Sequence, residues 1–121
     1  MSEKRSYKRL KAHITAECLV VGAAESSLSR VTITDFTPNG LTLISDIEYA
    51  IGQDLEFKID LGSALITSLP GQVVRCVAIG ASRKYDVGVK FARTESPSLN
   101  KLKNYYSQIY YKNQIVDKLR G

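Results

Sequence analysis

Histidine and cysteine are nearly missing from this chain, with one of the first and two of the second in 121 residues. That scarcity removes most catalytic chemistry. Cys18 and Cys76 have no CxxC spacing, and with His13 alone they supply no metal-ligand cluster. They make no disulfide framework either. Both sit in apolar runs, so free thiols buried in a cytoplasmic, reducing compartment are expected. His13 takes the polar position of a strand, where surface histidines outnumber general bases. GxSxG, HExxH and GxxxxGK[ST] do not occur, and the carboxylates are scattered without a suggestive pair. The expectation is a protein that is no enzyme and holds no cofactor or metal. Long apolar runs are missing too. The strongest, Cys18 to Ala24, has seven residues and contains Gly22, whereas a membrane helix needs about 18. Its brevity and Glu17 argue against a secretory signal, and membrane insertion is not expected.

Acidic residues are also in short supply. Seventeen Lys and Arg face 12 Asp and Glu, a formal charge of +5 and a pI near 9.3. An anionic partner such as a nucleotide, nucleic acid or phosphate fits that balance. The excess is local. Residues 1–11 hold Lys4, Arg5, Lys8, Arg9 and Lys11 against Glu3 alone, and the remainder is nearly balanced. Residues 1–9 therefore read as a basic binding arm, mobile until a ligand orders it. The bland alternative is a solvated tail.

What the chain does have is strand patterning. Apolar residues make up 44% and charged residues 24%, ordinary usage for one globular domain. Ile14, Ala16, Cys18 and Val20 alternate with polar neighbours, and period two marks a half-buried strand. Arg30 to Phe36 alternates again, Thr37-Pro38-Asn39-Gly40 reads as a turn, and Leu41 to Ser45 returns, so residues 30–45 form a hairpin. Leu55, Phe57, Ile59 and Leu61 make the clearest strand. Residues 63–69 read as a shorter strand ending at a Pro70-Gly71 turn, and Val73 to Ile79 as another. Tyr85, Val87, Val89 and Phe91 make the last. Short strands at even spacing point to an antiparallel barrel or sandwich.

After Phe91 the period changes. Ser96 suits a helix cap and Pro97 the first helical position. Leu99, Leu102, Tyr106, Ile109 and Val116 then fall on one helical face. Tyr105, Tyr106, Tyr110 and Tyr111 give more aromatic surface than one stripe needs, and Asn113 interrupts the apolar seam. Two readings stay open: a helix packed on its own barrel, or a helix used for self-association. The chain divides into the arm (1–9), a barrel (10–94) and a C-terminal helix of the same domain (95–121).

Two short segments carry the binding chemistry. Arg5 and Arg9 stand four apart, and their planar guanidinium forks match phosphates and stack on bases. Asp35-Phe36-Thr37-Pro38-Asn39-Gly40 puts a carboxylate and a hydroxyl at the mouth of a sheet. The carboxylate can accept a guanine's N1–H and N2–H together, and Gly40 lets another group approach the backbone. Taken by itself, the hexapeptide reads equally as a well-made hairpin turn.

In order, Arg5-x-x-x-Arg9 and, 25 residues later, Asp35-x-Thr37-x-x-Gly40 resemble the signature of the PilZ family, RxxxR then [DN]xSxxG. PilZ domains are bacterial receptors for cyclic di-GMP. The stretches at 71–76 (GQVVRC) and 87–91 (VGVKF) are similar to late strands of that family, and the chain is about one such domain long. The resemblance implies a six-stranded antiparallel, Greek-key-like β-barrel followed by a helix. It implies that Arg5 and Arg9 grip phosphates and guanines, that Asp35 accepts from a guanine, that Thr37 bonds where Ser is usual, and that Gly40 permits close contact. Thr37 keeps the hydroxyl and adds a methyl, which should weaken binding without abolishing it. Lys4 occupies the position said to influence whether one nucleotide or an intercalated pair binds, and leaves both stoichiometries open. Arg75, on a strand able to face the site, is a secondary candidate. The implied function is a cyclic di-GMP adaptor whose arm orders on binding and signals to a bacterial effector protein, with self-association through the helix as a further option. Two other functions compete: a PilZ-like protein-interaction module that binds no nucleotide, and a small nucleic-acid-binding barrel. Few strand aromatics are available for base stacking, which disfavours the last.

Overall fold

A computed structural model of the chain describes residues 8–22, 28–91 and 96–119, with side chains as far as Asn113. Six strands come first: β1 (Leu10–Val20), β2 (Ser29–Thr37), β3 (Gly40–Ser45), β4 (Asp54–Asp60), β5 (Leu65–Ile79) and β6 (Lys84–Phe91). One helix, α1 (Pro97–Leu119), follows. All strand pairs are antiparallel, and they close a barrel in the order β1-β2-β3-β6-β5-β4. The fold is thus the six-stranded antiparallel barrel with a C-terminal helix that the family resemblance implied, and it decides between the barrel and the sandwich that the strand patterning left open.

The period-two residues form its lining. Ala16 and Cys18, Val31 and Ile33, Leu55, Phe57 and Ile59, and Val87, Val89 and Phe91 are all buried. Burying a Val, Leu, Ile or Phe side chain contributes about 1.5–3 kcal/mol, which is why the alternation was readable. The Pro70-Gly71 turn is not observed. Residues 65–79 form one continuous strand that leaves β4 for β6 as it passes this point. Pro70 pairs with Glu56 of β4, and the β6 ladder starts one residue later, at Gly71 opposite Phe91. The missing N–H therefore falls where only one neighbouring strand lies alongside. Gly71 is needed for room: a Cβ there would stand 2.5 Å from Cγ1 of Val89.

Each end of the barrel is closed differently. At one end Tyr49, 3% exposed, lies over the core between β3 and β4. Its hydroxyl donates to Cys18 Sγ at 3.6 Å and lies 3.1 Å from Ser29 Oγ. At the other end α1 is laid across the opening. Ser96 Oγ accepts the Leu99 N–H at 3.1 Å, the cap expected from the sequence. Leu99, Leu102 and Tyr106 are buried, while Tyr105, Ile109 and Tyr110 are partly buried against the core. Most of the apolar face is thus occupied by the helix's own barrel, with Tyr111 and Asn113 exposed. Both cysteines are free, Cys18 buried and Cys76 half-buried.

Burial pushes the Cys18 thiol up from 9.0 to about 11, against a smaller lowering by the Tyr49 hydrogen bond. Burial likewise raises Tyr49. The folded thiol keeps its proton where the unfolded one has lost it. Its stabilising contribution is full below pH 9 and falls away as the pH rises towards about 11. Urea unfolding from about pH 8 to about pH 11 should show stability declining by up to about 1.4 kcal/mol per pH unit from this group, with a shallower decline in Cys18→Ala.

Candidate functional site

Two irregularities in the sheet set the outer face next to the β2–β3 turn. In β2 the register shifts between Ile33 and Asp35 against β3, leaving Thr34 as the extra residue. Strict alternation from Val31 and Ile33 would send Asp35 inward. The bulge sends it outward and turns Phe36 into the core. In β5 the register shifts between Val73 and Arg75 against β6, with Val74 extra, and Arg75 is likewise sent outward. β1 shifts between Lys11 and Ile14, opposite the bulge in β2. β2 also continues past Asp35 to Thr37, so the carboxylate stands within the strand and not at its end.

These outward residues meet. Arg9, Asp35, Thr37, Gly40 and Arg75 line one depression of about 380 Å³ across β2, β3, β6 and β5. Lys90, Asn39 and Thr42 complete its polar lining. Three cations face one carboxylate, so an anion is favoured. The Asp35 carboxylate has no hydrogen-bond or ion-pair partner among the described residues, which leaves its oxygens free to accept. Thr37 Oγ1 accepts the Asn39 N–H at 3.0 Å. Its hydroxyl proton is therefore the donor left for a ligand. The turn is a two-residue loop, Pro38-Asn39, with Thr37 opposite Gly40 and no positive φ at either loop residue. Lys4 and Arg5 lie outside the described residues.

Gly40 answers to the barrel itself. A Cβ there would collide with the carbonyl oxygen of Val89 in β6. Gly88 does for a side chain what Gly40 does for the backbone. Arg75 lies over it, with Nε 3.2 Å from where a Cβ would be, and reaches Asp86 at 3.3 Å. Lys90, Asp86 and Gly88 belong to neither of the two short motifs. Alternation in VGVKF places Lys90 on the outer face beside Gly88, a signal that was available. A larger depression, about 550 Å³, opens near Asp54, Glu56 and Pro70. Two carboxylates against Lys90 make it a poor seat for a dianion.

The family model described as PilZ domain matches residues 3–108. The chain belongs to the PilZ domain family. PilZ domains are receptors for cyclic di-GMP and not enzymes. Solved structures share the fold of this PilZ domain. MotI/DgrA, an inhibitor of motility from Bacillus subtilis, has a TM-score of 0.70 at 15% identity, over 92% of this chain and 53% of that one. The PilZ domain of YcgR from Escherichia coli, solved with c-di-GMP, has 0.66 at 13%, over 96% and 98%. The PilZ domain of CeSA from a cellulose-synthesizing bacterium has 0.66 at 12%, over 86% and 99%. This PilZ domain thus spans about half of MotI/DgrA and nearly all of the other two. No curated protein matches it in sequence. No described helix is long and apolar enough to cross a membrane.

Gly40→Ala should destabilise this PilZ domain by about 1–3 kcal/mol, because the clashing atom is backbone and has little room to give. Urea unfolding followed by circular dichroism reads that loss directly.

Proposed function

We propose that this PilZ domain is a cyclic di-GMP receptor that binds the nucleotide in the depression between the β2–β3 turn and β5. One observation carries the reading. Arg9, Asp35, Thr37, Gly40 and Arg75, far apart in sequence, line a single cationic depression. In this reading Arg9, with Arg5 four residues before it and Lys4 beside that, grips phosphates and guanine. Asp35 accepts the N1–H and N2–H of a guanine. Thr37 donates its remaining proton, and its added methyl narrows the rim. Arg75 exchanges Asp86 for a phosphate. That exchange is inexpensive, because both side chains are substantially exposed, at 44% and 37%.

The output follows from the arm. The arm orders over the depression as the nucleotide binds, its root at Lys8 and Arg9 already in place, and the rearranged surface is read by a bacterial effector protein in the cytoplasm. Ordering backbone costs about 1–2 kcal/mol per residue, and charge-assisted bonds of about 1.5–3 kcal/mol each offset part of that. Among the described residues the lining has no aromatic side chain, so a nucleic-acid strand finds no stacking platform in them.

Calorimetry with cyclic di-GMP should give saturable heat where GTP gives none. Arg5→Ala and Arg9→Ala should abolish it. Asp35→Ala should weaken it by about tenfold to a hundredfold, as expected for a charge-assisted hydrogen bond. Lys103→Ala, on the helix, should leave it unchanged. Absence of heat from wild-type protein at tens of micromolar nucleotide overturns the reading.

A further inference from the structure

One side chain ties the closing helix to the arm. The Tyr106 hydroxyl donates to the carbonyl oxygen of Lys8 at 2.6 Å, across 98 positions of sequence. The ring is nearly buried. It meets Phe36 edge-on at 6.0 Å and lies parallel to Tyr110 at 6.0 Å. Its neighbour Tyr105 stacks on the same Phe36 at 5.9 Å. Lys8 directly precedes Arg9, and Phe36 stands between Asp35 and Thr37. Adjacent residues of α1 therefore touch the chain beside both halves of the depression.

The bond matters because of where the sheet begins. The β1 ladder starts at Leu10, so Lys8 and Arg9 have no strand partner among the described residues. Both are exposed. The Lys8 carbonyl is held from the helix instead, by a hydroxyl whose ring is locked between aromatic neighbours. Arg9 then leaves from a fixed point at the rim of the depression.

We infer that Tyr106 is a positioning residue for nucleotide binding: it fixes the root of the arm, and through Lys8 it sets where Arg9 stands. A root already in place leaves fewer residues to order when the ligand arrives, which is affinity through preorganisation. The inference rests on the cyclic di-GMP reading above, but its first observable needs no nucleotide.

Tyr106→Phe tests it, since the ring and its stacking remain and only the hydroxyl goes. In nucleotide-free protein the Lys8 carbonyl carbon resonance should move in the variant and stay in Tyr111→Phe, whose side chain is exposed. Affinity for cyclic di-GMP should fall by about threefold to tenfold in Tyr106→Phe, the scale of one neutral hydrogen bond. In a milder background, Arg9→Lys, adding Tyr106→Phe should cost less than it does in wild type, because the tether acts through that residue. An unmoved Lys8 resonance overturns the tether. A moved resonance with unchanged affinity overturns the positioning role. Losses that multiply in full overturn action through Arg9 and mark a general structural effect. If wild-type protein takes up no cyclic di-GMP while the resonance moves, the receptor reading fails, the positioning role falls with it, and the contact stands as part of the fold.

Discussion

Strict alternation along β2 would bury Asp35 and expose Phe36. One extra residue at Thr34 reverses both outcomes at once. The carboxylate reaches the outer face, and the aromatic ring reaches the end of the barrel where Tyr105 and Tyr106 pack against it. The depression beside the β2–β3 turn and the seat of the helix are therefore two sides of one bulge. A second bulge at Val74 repeats the device on β5, turning Arg75 out and Cys76 in. Bulges interrupt the ladder, and here a side chain bridges the gap: Thr34 Oγ1 donates to the Thr42 carbonyl at 3.3 Å.

The barrel was legible because most of its strands bury one face. Leu55, Phe57 and Ile59 alternate without interruption, and burial of those three is nearly complete. Ser96 and Pro97 announced the helix by local chemistry alone, and the Ser96 cap is present. The failure at Pro70-Gly71 has a different origin. Local turn propensity favoured a break there, while the topology gave the proline a position with a single strand neighbour and the glycine a tightly packed one. Asp35, Thr37 and Gly40 were visible as a motif. Arg75 was a secondary candidate only, because its convergence with them depends on two bulges and on β6 lying between β3 and β5. Neither follows from a residue pattern within one strand.

Glycine shapes the floor of the depression by subtraction. Gly40 lets β3 lie against the Val89 carbonyl, and Gly88 leaves the space in which the Arg75 guanidinium rests. Gly88 is itself buried, although its position in β6 faces outward. The arginine covers it. In this arrangement Arg75 is preoriented along the sheet by Asp86, yet the ion pair is solvated and its stabilisation is at most about 1 kcal/mol. Such a pair guides a side chain without locking it.

The length of β5 has one more effect. β4 accompanies it only as far as Gln72, and Gln53 and Gly52 hold Val73. From Val74 to Ile79 no strand among the described residues runs along that side, and Val74, Val77 and Ile79 are exposed there. On this side the barrel keeps a short open edge with apolar side chains exposed along it, the kind of edge that a charged side chain blunts. Arg75 is the sole charge in that stretch. The guanidinium that lies over Gly88 is therefore also the one charge that interrupts this apolar edge.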